Sequence, residues 1–193
     1  MHILIFVAPA LLGLWMLGAY NRLVRLRNVI ASVFQVFALQ ARERTEAVSR
    51  LLVLAQEHMA DEPGLTAAAA SAEQELGRAL EAARLRPVHP RVLGEFGRCD
   101  HALGLALAAL CKALREQVGY VDTHPDPEAQ HPVITQLGRL DAVLTQTDFA
   151  RLTYNQAVSD YNAAIRLFPT TLVAGLFRFE PAALLPAVPH GTA

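Results

Sequence analysis

The chain has 193 residues, 53% apolar and 18% charged, with 17 basic against 18 acidic side chains and a mean hydropathy of +0.26. That balance excludes a cationic nucleic-acid binder, which needs surplus Lys and Arg against a phosphate backbone. The apolar content excludes a disordered chain, and two cysteines are too few for a disulfide-built secreted module, so one helical or membrane-bound domain remains.

The first element is the run Ile3 to Tyr20, free of Asp, Glu, Lys, Arg, Asn and Gln. As a helix it would be ~27 Å long, close to the ~30 Å of a bilayer core. Pro9 is better tolerated there than in a soluble helix, and Tyr20 falls at interfacial height. A cleaved signal peptide would carry its positive charge before the run. Here only His2 precedes it, and Arg22, Arg25 and Arg27 follow. The expectation is an uncleaved anchor over 1–21, single-pass in the cell membrane. The positive-inside rule places the body in the cytoplasm and the N-terminus outside. A buried soluble helix is the competing reading.

Beyond the anchor, Pro63-Gly64, Pro87 with Pro90, and Pro125, Pro127 and Pro132 divide stretches rich in good helix formers. The spacing predicts helices over about 2–60, 64–86, 90–120 and 132–168, with no strand. Apolar residues step by three and four in three seams. The first runs from Leu23 through Ile30, Phe37 and Leu51 to His58. The second runs from Leu93 through Phe96, Leu103 and Leu107 to Leu114, and the third from Val133 through Leu140, Tyr154 and Tyr161 to Phe168. Seams of this coiled-coil type pack at small angles, and short connections make neighbours antiparallel. The fold class is therefore all-α: an N-terminal transmembrane helix continuing into an antiparallel four-helix bundle over 22–169. An apolar tail, 170–193, follows. Its Leu172–Phe177 stretch either lies on the membrane surface or caps the bundle.

Polar residues interrupt the seams at Gln40, Arg44, Asp100, Thr147 and Arg151. A buried charge needs a partner. Asp100 is the only acid on a seam, so it is expected to pair with Arg44 or Arg151. Such a layer either fixes helix register or lines a ligand pocket. A water-accessible cavity there would favour the pocket, and tight packing would favour the structural role.

The last long segment reads Arg151-Leu-Thr-Tyr154-Asn155, then Tyr161-Asn162, then Phe168-Pro169. Two Tyr-Asn pairs seven residues apart, followed by Phe-Pro, resemble the signature of the LemA family. The head, Tyr20-Asn21-Arg-Leu-Val-Arg25-Leu-Arg-Asn28, is similar to that family's post-anchor segment, and Ala174-Gly175-Leu-Phe177 also fits. Leu144 stands where the family commonly carries Glu. The resemblance implies a single-pass bacterial membrane protein with a long helical domain, linked to envelope processes and without an established reaction. The Tyr-Asn face is either a docking surface or core rings with rim-bonded hydroxyls, its Asn residues reaching a neighbouring helix.

No catalytic, cofactor or metal constellation is recognisable. There is no nucleophile elbow and no Gly-rich phosphate loop. Cys99 and His101 lie on different helix faces. Cys99 and Cys111 are about 18 Å apart along one helix and cannot bond to each other. His124, Asp126, Glu128 and His131 form the one close group of ligand types, best read as a solvated loop. The expected protein is a non-enzymatic scaffold, adaptor or sensor, with the lipid bilayer and a membrane protein as partners and no nucleic acid. The alternatives are a small-ligand binder or enzyme using the polar layer, and a homo-oligomer that shapes membrane.

Overall fold

A computed structural model describes residues 2–59, 63–119 and 132–187, with side chains described from Leu11 onward. The elements are α1 (His2–His58), α2 (Pro63–Leu85), α3 (Pro90–Gly119), α4 (Pro132–Arg166) and α5 (Thr170–Leu176). The helix ends fall within two residues of the sequence expectation, except that α5 is an additional helix. The group His124, Asp126, Glu128 and His131 lies outside the described residues.

Proline opens three of the helices, at 63, 90 and 132, where its missing N–H is not needed and its fixed φ suits the first turn. The seams then set the packing. Every predicted α3 position, from Leu93 and Phe96 through Asp100 to Leu114, is buried. So is the α4 seam from Val133 to Ile165, except the half-buried Leu144. Phe168 is a correction: it is 79% exposed, because α4 ends at Arg166 before the seam reaches it.

α1 buries more than one stripe. Phe34, Ala41, Val48 and Ala55 are buried beside the predicted seam. The reason is that α1 packs on α4 along one flank and on α2 along another. Surface bonds mark both flanks. Gln136 Nε2 donates to the Ala47 carbonyl from α4, and Arg42 bonds to Glu81 of α2 at 2.8 Å. α2 in turn packs on α3, while α3 and α4 meet only sparsely. The bundle is thus tight on three sides and loose on the fourth.

Edge-to-face aromatic contacts fill the centre. Phe34 meets Tyr154 at 5.6 Å and Phe37 meets Phe96 at 5.7 Å, tying α1 to α4 and to α3. After α4 the chain turns into α5, which buries Thr170, Val173 and Ala174 against the bundle. Arg178, with φ 54°, then reverses the direction, and the Phe179 amide closes on the Ala174 carbonyl. The tail runs back along α4, burying Ala182 and Leu185. The Leu172–Phe177 stretch therefore does cap the bundle with its inner face.

Among the residues whose side chains are described, one helix, α1 from Leu11 onward, is long and apolar enough to cross a membrane, with an eighteen-residue window of mean hydropathy 1.2. Leu11, Leu12, Leu14 and Leu17 on it are all more than half exposed.

Candidate functional site

The polar layer forms from three helices. Arg44 of α1 donates from Nη1 to Asp100 Oδ1 of α3 at 2.5 Å. Arg151 of α4 donates from Nη2 to Asp100 Oδ2 at 2.7 Å. All three side chains are at least 95% buried. Asp100 thus takes both predicted partners, one on each carboxylate oxygen. The buried group carries two guanidinium charges against one carboxylate. Asp148, one turn before Arg151 and partly exposed, lies 3.7 Å from Arg151 Nη1 and offsets part of the excess.

Gln40 and Thr147 sit in the adjoining turns. The Thr147 hydroxyl donates to the Val143 carbonyl at 2.8 Å and lies 3.4 Å from that of Gln40. Gln40 is half-buried, and its Oε1 has no partner among the described residues. The charged trio of the layer is closed to solvent, and its Arg44 edge adjoins the loose side of the bundle. Arg44 also lines a cavity of about 860 Å³ between α3 and α4, and its Nε and Nη2 make no hydrogen bond. Of the two alternatives for the layer, the close packing of the charged trio fits the register role, while the adjoining cavity leaves space for a ligand beside Arg44.

The Tyr-Asn pairs grip the tail rather than a neighbouring helix. Asn155 Nδ2 donates to the Leu185 carbonyl and its Oδ1 accepts from the Leu185 amide, both at 2.8 Å. Asn162 does the same with Ala182, both at 2.9 Å. The Tyr161 hydroxyl donates to the Glu180 carbonyl at 2.9 Å. The Tyr154 hydroxyl lies 2.7 Å from the Pro87 carbonyl and 3.0 Å from that of Ala183, and shares its proton between them. Arg151 extends the series to the Pro186 carbonyl at 3.3 Å.

The spacing follows from geometry. Seven helical residues rise ~10.5 Å, and three residues of extended chain advance ~9–10 Å. A Tyr-Asn pair every seven residues therefore meets equivalent tail positions every three. Pro181 and Pro186 hold the residues before them in the extended region that this register needs. Burial pushes the Tyr154 phenol far above its usual value. It also raises that of Tyr161, with Glu180 adding to the rise and Arg27 opposing it.

Gly97 of α3 closes the tail's far side. A Cβ there would collide with the Pro186 ring. Gly97→Ala gains up to ~1 kcal/mol of helix propensity but meets an overpacking cost of ~1–3 kcal/mol. The net expected effect is a loss of about 1 kcal/mol, read as a lower Tm with faster proteolysis after residue 180.

The remaining motif residues gather where α1 leaves the bundle. Tyr20 packs its ring on Phe177 at 4.8 Å and on Phe179 at 5.7 Å. Asn21, Arg22, Arg25, Arg27 and Asn28 are exposed, as are Arg166 and Arg178. Leu167, Phe168, Leu172, Leu176 and Phe177 are also exposed and form an apolar collar at the same end, while Pro169 is half-buried between α4 and α5. The sequence marked Leu172–Phe177 as apolar but did not show it as a helix, so the collar that its outer face completes with Leu167 and Phe168 was legible only in part. Sequence reasoning missed Asp148 and Pro186 because neither stands on a seam.

No group of three or more His, Cys, Asp or Glu is placed to hold a metal among the described residues. Burial raises the Cys111 thiol to about 11, whereas Cys99 is raised by burial and by Glu95. Both cysteines are free. Cys111 should therefore alkylate ever faster up to about pH 11, well past the ~8.5 of an ordinary thiol. Intact-mass labelling across that pH range checks it.

No curated protein matches the chain. The family model described as "LemA family" matches residues 34–192, the greater part of the sequence, from the middle of α1 through the Tyr-Asn helix into the tail. With its Tyr-Asn ladder and the greater part of its bundle inside that span, the chain belongs to the LemA family.

Proposed function

We propose that this protein is a non-enzymatic, membrane-anchored contact protein of the bacterial envelope, with its bundle held at the bilayer on α1. The observation that carries this reading is the combination at one end of the molecule. An exposed apolar stretch of α1 enters a collar formed by Leu167, Phe168, Leu172, Leu176 and Phe177. Arg22, Arg25, Arg27, Arg166 and Arg178 stand beside it. Apolar side chains at the acyl boundary with cations at headgroup height fit a bilayer surface. Single-pass insertion with the body cytoplasmic follows from the Arg residues after the span.

The contact surface lies further along the bundle. Val29, Val36, Phe149 and Leu152 are exposed on the α1–α4 flank, around two shallow grooves of about 480 and 580 Å³. Exposed apolar clusters of this kind mark protein contact. The partner we favour is a membrane protein whose cytoplasmic segment reaches this height; a second copy of the chain is the alternative. A photo-crosslinking residue placed at Phe149 should capture one discrete partner in native membranes, and the same residue at Glu75 on α2 should not. Equal, diffuse capture at both positions would refute a dedicated contact face. A crosslinked homodimer would favour self-assembly.

A further inference from the structure

The cavity between α3 and α4 is built as an amphiphile site. Its walls are Leu107, Ala108, Leu140, Leu144, Phe149 and Leu152, and Arg44 reaches it from α1. Its volume, about 860 Å³, is of the size that holds small ligands. Most polar groups in the lining already have partners. Arg115 pairs with Asp141 at 3.4 Å. The Thr145 hydroxyl donates to the Asp141 carbonyl, and Asp148 faces Arg151.

Arg44 differs. It is 98% buried, yet Nε and Nη2 have no acceptor. An unused buried donor on a cation is costly unless something accepts from it. The buried set of Arg44, Asp100 and Arg151 also carries one uncompensated positive charge. Asp148 offsets it only in part, from a partly exposed position 3.7 Å from Arg151 Nη1. A ligand that satisfies the site has one anionic acceptor head and an apolar body with no further hydrogen-bonding groups.

We propose that this cavity binds an unbranched aliphatic carboxylate, its head on Arg44 Nε and Nη2 and its chain along Leu107, Leu144 and Phe149. This goes beyond the contact role above and does not depend on it. The guanidinium edge that Asp100 leaves unbonded is closed to solvent, so it turns toward the cavity as the carboxylate accepts its two bonds, and Arg44 then bridges an internal and an external carboxylate. The chain displaces water from an apolar trough that the sparse α3–α4 packing leaves open.

Cys111 lines the cavity and Cys99 does not. The test therefore uses the full chain in neutral phosphatidylcholine nanodiscs, with N-ethylmaleimide labelling of the two thiols followed by mass spectrometry. Octanoate is the probe, and octan-1-ol is the head-group control. Octanoate should slow Cys111 labelling saturably, roughly tenfold at ten times its Kd, while Cys99 keeps its rate. Octan-1-ol should change neither by as much as about twofold. Leu144→Trp and Ala108→Trp fill the trough from opposite walls. Whichever of the two keeps its helical circular dichroism should abolish the protection.

Four results would overturn the proposal. Octanoate without effect on Cys111 means that the cavity holds only water. Equal protection by octan-1-ol means that Arg44 reads no head group. Equal slowing of Cys99 means a general effect on the bundle or bilayer. Protection that survives in a folded, filled variant places the ligand elsewhere.

Discussion

Replacing Asp100 with Leu is expected to be among the most destabilising single changes in the protein. It leaves the Arg44 and Arg151 guanidinium groups buried without their shared acceptor. Stranding buried charge in this way costs ~3–5 kcal/mol, out of a total stability of ~5–15 kcal/mol. The Tm should fall by about 10 °C or more. Asp100→Asn keeps one acceptor oxygen and should fall between Leu and the native residue. Asp100→Leu combined with Arg44→Met and Arg151→Met removes the charge as well as the partner. That triple variant should recover most of the loss, because an apolar layer of similar volume avoids the desolvation cost. Thermal melts in lipid nanodiscs check the series. A triple variant as unstable as Asp100→Leu would mean that shape, not charge pairing, governs the layer.

The second large effect is expected from the paired asparagines. Asn155→Ala with Asn162→Ala removes four hydrogen bonds to the tail backbone. At ~1 kcal/mol each, docking should weaken by about 2–4 kcal/mol. The tail can then peel away and bond to water, so the loss is local. Hydrogen exchange at the Ala182 and Leu185 amides should accelerate by about two orders of magnitude, while the amides of Leu110 and Leu137 stay protected. Aspartate is no substitute. It accepts from the amide N–H but presents a second oxygen to the tail carbonyl, so Asn155→Asp should loosen the tail at least as much as Ala. The phenols add a pH dependence. Burial raises the Tyr154 and Tyr161 values in the folded state. Their contribution is therefore complete below the unfolded value of ~10 and declines as pH rises from there toward the folded values. Tail exchange should quicken above that pH before the bundle melts.

Much of the bundle was legible because burial and helical periodicity coincide in it. Leu93, Phe96, Leu103 and Leu107 have one packed flank, and a single stripe describes them. The pairing of Asp100 was legible too, since it is the one acid among seam positions. α1 defeats the same reasoning: Phe34 and Val48 lie off its stripe yet are fully buried, because a second helix covers them. The role of Asn155 and Asn162 was hidden for a different reason. Their spacing fixes a repeat along α4 but not what answers it, and the answer is an extended segment 20 to 30 residues later. The cavity had no sequence signal, since it arises where α3 and α4 separate.

The proposed function has the exposed collar and its arginines at the bilayer surface, with α1 continuing into lipid. Isolated native membranes, washed first with high salt and then with urea before flotation, test this most directly. Salt removes proteins held by arginine–headgroup attraction, and urea removes those held by folded peripheral contacts. The full-length chain is predicted to float with the membranes after both washes. Its recovery in the salt or urea supernatant would contradict the anchored rod on which the proposed function rests.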